Sequence, residues 1–163
     1  MTIGQSMLAE LDHEVAQTRK MLARVPDSLA EWAPHAKSMK MMRLAAHVAR
    51  LPQWGWVTLG TTELDFGTVP QDPPIANAAG LVEALDAESN KFRDALAKAS
   101  DADMSVPWTL KYNGQVYFTM SRLEVLRGMV INHIVHHRGQ LSVYLRLNDI
   151  TVPGMYGPSA DEM

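Results

Sequence analysis

The sequence has 163 residues, 47% hydrophobic and 20% charged, a balance that fits one folded domain and argues against a disordered chain. It contains no cysteine, which excludes disulfide frameworks, thiolate zinc sites, iron–sulfur clusters and a cysteine nucleophile. The formal charge of −3 gives no broad basic footprint for nucleic acid, and no run of about 18 apolar residues offers a membrane span.

The first twelve residues lack the basic and apolar regions of a signal peptide, so a cytoplasmic protein is expected. Helical periodicity then dominates. Over residues 3–24, Leu8, Leu11, Val15, Thr18 and Leu22 recur at spacings of three and four, one face of an amphipathic helix. Pro26 and Asp27 end it, and residues 28–37, with Trp32 and Pro34, read as a connector. A second helix starts near Ser38, with Met41, Leu44, Val48 and Leu51 on its apolar side and His47, Leu51 and Trp54 along an adjoining stripe. Pro52 predicts a kink or an end nearby. Residues 59–74 form a long polar connection with Gly60, Gly67, Pro70, Pro73 and Pro74, read as a crossover or as the wall of an active site.

A third helix covers residues 77–99, with Leu81, Leu85, Glu88, Phe92 and Leu96 inward. Between residues 106 and 118, Asn113-Gly114 sits between alternating residues and predicts a small hairpin. The fourth helix starts with the capping-box spacing Ser121-x-x-Glu124 and runs without proline to about Leu147. The tail, residues 151–163, is expected to lie as irregular chain over the helices. The expected architecture is all-α: a four-helix bundle with a long crossover between helices two and three and a short hairpin before helix four.

Six histidines carry the chemistry worth weighing. His133 and His137 lie four apart on the fourth helix, sharing one face with Leu126, Met129, Val130, Gln140 and Tyr144. His47 occupies a stripe of the second helix. Three imidazoles from two helices can converge in a bundle core and hold a divalent metal with open positions. Against this stands the plain reading of a satisfied core or surface pair. Ile134 follows His133, so the His-Glu-x-x-His motif of zinc peptidases is absent. Glu10-x-x-His13 is the single match to a di-iron carboxylate element, and His13 falls off the apolar side. His136, about 60° round from His133, either flanks the site or bonds a carbonyl, and His35 reads as surface. Gln140 and Tyr144 either orient an incoming group or serve as core hydrogen-bonding residues. Gly139 suggests a close approach of another element, and Arg138 a clamp on Asp161 or Glu162. No Gly-x-Ser-x-Gly elbow or Gly-rich phosphate loop is present.

Taken together, residues 38–47, Asn132-His-Ile-Val-His-His-Arg-Gly-Gln-Leu141 and Pro153-Gly-Met-Tyr-Gly-Pro-Ser-Ala-Asp-Glu162 resemble the DinB superfamily. The resemblance covers essentially the whole chain, residues 1–163, as one domain. It implies a four-helix bundle holding one divalent metal through His47, His133 and His137, with zinc first and nickel or iron as alternatives. It also implies a homodimer and a low-molecular-weight thiol cosubstrate, since the family includes metal-dependent thiol transferases and a thiol-dependent maleylpyruvate isomerase. The expected function is activation of a thiol, or of water, for transfer to a small electrophile, with Gln140, Tyr144 and His136 as catalytic candidates. The competing expectation is a non-catalytic bundle that dimerises or binds a small ligand around a structural metal. Neither reading involves nucleic acid or a membrane.

Overall fold

The computed structural model describes residues 1–70 and 72–163. Helix α1 (Ile3–Leu22) opens on a capping box in which Thr2 and Gln5 satisfy each other's end groups. Its buried face is Met7, Leu11, Glu14, Thr18, Met21 and Leu22. The expected Leu8 and Val15 are only half-buried, because the face is turned to bring in Glu14, whose charge is met from another helix.

A short 3-10 turn (Asp27–Leu29) leads to α2 (Met41–Gly60). Pro52 does not end this helix. A proline removes one backbone donor, and the surrounding burial of Leu51, Pro52 and Gly55 carries the helix past it. Gly55 is required here: a Cβ at this position would fall on the Phe92 ring, so α2 and the next helix cross too closely for any side chain.

The long connection is not wholly irregular. It contains strand β1 (Glu63–Asp65) before α3 (Ala78–Lys98), which Asn77 caps by accepting from the Gly80 amide. Leu81, Leu85, Phe92 and Leu96 are inward as expected, but Ser89, not Glu88, fills the remaining buried position. Glu88 sits half-buried and accepts from the Trp56 indole N–H at 2.6 Å.

A single turn, α4 (Asp101–Met104), precedes the hairpin of β2 (Pro107–Tyr112) and β3 (Gln115–Ser121). Asn113 and Gly114 have φ of 49° and 80°, the left-handed pair that a two-residue hairpin turn needs. Strand β1 adds to β2 in parallel, giving the order β1-β2-β3. The Asp65 carboxylate explains why: it accepts from the backbone amides of Gly67, Asn113 and Gly114 at 2.7–2.9 Å, tying the crossover to the hairpin turn. The all-α expectation is therefore corrected. The fold is mostly helical with a small three-stranded sheet, and a three-residue strand carries too little pattern to be seen in sequence.

The last helical run also departs from expectation. Ser121 and Glu124 form the expected capping box at α5 (Arg122–Glu124). A wide-turn π segment (Val125–Ile131) follows before α6 (Asn132–Arg146). Helices α1 and α2 each pack on both α3 and α6, so the four long helices enclose the core. Two clusters fill it, one around Leu22, Val48, Leu85 and Leu141, the other around Leu11, Leu51, Phe92 and Ile134. A third, with Trp108 fully buried, seats the sheet. No helix among the described residues is long and apolar enough to cross a membrane.

Candidate metal centre

The packing of α2 on α6 brings three histidines together. His133 and His137 lie one turn apart on α6, and His47 faces them from α2. The Nε2 atoms of His133 and His137 are 2.8 Å apart, and those of His47 and His133 are 3.4 Å apart. One ligand atom from each of the three falls within 4.8 Å of the others.

The outer ring nitrogens decide what the inner ones can do. His133 Nδ1 points at the Met129 carbonyl oxygen, 3.3 Å away, and His137 Nδ1 at Gln140 Oε1, 2.7 Å away. A carbonyl oxygen only accepts, so each Nδ1 carries the proton and each facing Nε2 presents a lone pair. Burial, and then the neighbouring histidines, oppose added protons. The His47 imidazole is pushed down from 6.5 to about 4, first by burial, then by the charges of His137, His133 and Arg43. His133 is lowered too, by burial first and then by His137 and His136, with the Met129 carbonyl opposing. His133 and His137 thus turn their Nε2 lone pairs towards each other, with His47 Nε2 3.4 Å from that of His133.

The other candidates are placed differently. Gln140 does not face the cluster's centre: its oxygen holds His137 and its amide donates to His136 Nε2 at 3.1 Å. His136 is exposed beside His137. Tyr144 is buried against Trp32, and its hydroxyl donates to the Met39 carbonyl at 3.1 Å, away from the histidines. His13 and His35 are exposed, as expected.

The pattern of the DinB family matches residues 1–163. The chain belongs to the DinB family. The uncharacterised protein YrdA of Bacillus subtilis (strain 168) is 31% identical over 165 residues, covering 96% of this chain and 93% of that protein. A solved DinB-like protein from Bacillus cereus ATCC 10987 shares the fold with a TM-score of 0.71 at 24% identity, covering 95% of this chain and 98% of its own. A DinB-like protein from Bacillus subtilis has a TM-score of 0.74 at 14% identity, over 94% and 99% of the two chains.

The metal that the DinB resemblance implies fits this donor set. Zinc bonds imidazole nitrogen at about 2.0–2.1 Å, which places tetrahedral neighbours about 3.3 Å apart. The observed Nε2 separations of 2.8 and 3.4 Å lie on either side of that value. The facing lone pairs of His133 and His137, with His47 Nε2 close by, can be met by a cation between them, and the outer carbonyls hold the two α6 rings in the tautomer that ligation requires.

The other polar residues of α6 and the tail complete the setting, and two expectations are corrected there. Arg138 does not reach Asp161 or Glu162. It is almost wholly buried and donates to Glu14 Oε2 at 2.6 Å, the Glu14 carbonyl at 2.9 Å, Thr18 Oγ1 at 3.1 Å and the Tyr156 hydroxyl at 2.7 Å. Tyr156 donates in turn to Glu14, so the tail is pinned across α1 and α6. Burial and the Glu14 carboxylate push the Tyr156 phenol upward. Asp161 is held by Arg146 and the Val152 amide, which lower it to about 2. Gly139 has open space where a side chain would be, so close approach does not explain it. Glu14 could have been found as a carboxylate interrupting the apolar face of the first helix. The Met129 carbonyl, being backbone, leaves no trace in sequence.

Proposed function

We propose that this DinB-family chain holds one divalent metal at His47, His133 and His137 and activates a small thiol, or water, for attack on a small electrophile. The convergence of three inward Nε2 atoms carries this reading. A divalent ion bound by neutral ligands keeps its full charge and, when present, lowers the pKa of a thiol or water at an open position. The chain's own residues supply the rest. Met129 and Gln140 fix the ring orientations. Arg138 holds α6 against α1, while the packing of α2 on α6 sets His47 opposite the two α6 histidines. Beside His47 a cavity of about 540 Å³, walled in part by Leu51 and Trp54, offers room for a small reactant. The absence of cysteine suits this scheme, because the cosubstrate brings the sulfur.

The test is metal analysis of protein purified without an affinity tag, followed by thermal-shift titration with small thiols. A single ion per chain is expected, and thiol stabilisation that requires the metal. His133→Ala should lose the ion while the helical circular dichroism persists. Chelation that unfolds the protein, with no thiol ever protecting it, would favour a purely structural ion.

A further inference from the structure

We infer that the molecule received at the histidine site carries a carboxylate or equivalent anionic group, and that Arg43 binds it. The inference rests on the proposed metal site and adds the charge of its substrate.

Arg43, His47, Arg50 and Trp54 stand at i, i+4, i+7 and i+11 along α2, so they form one stripe, and all four line the cavity of about 540 Å³. The cationic groups of this cavity are not equivalent. Lys40 pairs with Glu31. Arg50 donates to the Pro73 carbonyl and lies 3.8 Å from the Asp72 carboxylate. Arg43 alone has neither an ion pair nor a hydrogen bond among the described residues. The two acidic groups on the wall, Glu31 and Asp72, therefore already face other cations.

Arg43 is one turn before His47, which is about 6 Å along the helix axis. A molecule whose donor atom sits at the histidines can thus reach the guanidinium with a carboxylate a few bonds away. Three neutral ligands leave a bound dication unneutralised, and Arg43 adds a further positive charge at close range. A neutral reactant leaves that field unanswered, whereas an anionic one is drawn in and fixed by the guanidinium fork. The rings of Trp54 and Phe66, 4.7 Å apart at the cavity wall, offer an apolar surface for its carbon body.

The experiment measures binding, not turnover. Zinc-loaded wild type, Arg43→Gln, Arg43→Lys and Arg50→Gln are titrated by calorimetry with 3-mercaptopropionate against neutral 2-mercaptoethanol, and with succinate against neutral succinamide. Metal content is checked in each. Wild type is expected to prefer the carboxylate by about tenfold or more in at least one pair. Arg43→Gln should remove most of that preference with metal content unchanged, leaving only what the zinc charge itself supplies, Arg43→Lys should keep a larger part of it, and Arg50→Gln should keep nearly all of it. A preference confined to the thiol pair places the anion on the sulfur cosubstrate. One confined to succinate places it on the electrophile. Equal binding of charged and neutral members in wild type, or an undiminished preference in Arg43→Gln, overturns the inference. Failure to retain zinc, or thiol binding indifferent to zinc, counts against the metal site itself. The succinate pair still judges Arg43 in that case.

Discussion

His137 and Arg138 are neighbours in sequence, yet they head two polar clusters of opposite character on two sides of α6. Around Arg138 the chain supplies every partner: a carboxylate, a carbonyl, a threonine hydroxyl and a phenol converge on one guanidinium. Around His137 the chain supplies acceptors facing acceptors, and their outer nitrogens are already spoken for. A buried polar group left without a partner is costly, so cores normally close their own networks. The closed cluster reads as structure. The open one reads as a receptor for something the chain does not contain.

The contrast can be broken most severely on the closed side. Arg138→Met leaves Glu14 as an unpaired buried charge and should cost about 3–5 kcal/mol of stability. Denaturant unfolding would measure this, and Glu14→Leu added to Arg138→Met should recover much of the loss. An equal loss in the single and double variants would mean that the pair is not the closed unit described. On the open side, Gln140→Ala should leave unfolding nearly unchanged yet weaken metal binding by about 10–100-fold, since this exposed residue orients His137 and is not itself part of the core. Competition with a chromogenic chelator gives that number. Unaltered affinity would remove Gln140 from the metal's support.

A gentler probe is pH. The His47 imidazole in the folded, metal-free chain is lowered to about 4 from 6.5, by burial first. The unfolded chain therefore takes up this proton first as pH falls, and the metal-free fold should lose stability between about pH 6.5 and 4. Solvent around the half-buried ring keeps the slope small. His47→Gln should flatten it, as followed by denaturation midpoints across that window. A wild-type profile no steeper than the variant's would show that the cluster tolerates protonation.

Sequence made the open cluster more legible than the closed one. A histidine pair at i, i+4 and a third histidine on another helix are visible as spacing, and only their meeting point needed three dimensions. The same holds for the Asn113-Gly114 turn and the Ser121–Glu124 cap, which are local. Arg138, by contrast, offered two carboxylates close by in sequence, Asp161 and Glu162, and the partner it uses lies 124 residues away. Strand β1 was hidden for a similar reason: three residues have no period, and their pairing depends on a hairpin more than 40 residues later. Passage of α2 through Pro52 was hidden because tertiary burial, not local preference, sustains it.

The π segment from Val125 to Ile131 has a consequence for how the two ends of the final helix relate. Each residue in an α-helix advances the side chains by about 100°, so a stretch wound more loosely works as a phase adjuster. Upstream, Arg122 is anchored to the Thr61 carbonyl at the sheet end. Downstream, the aim of His133 and His137 is set by that anchored start plus whatever angular offset the loose stretch inserts. The molecule can therefore satisfy two fixed orientations that one uninterrupted α-helical screw would leave out of step.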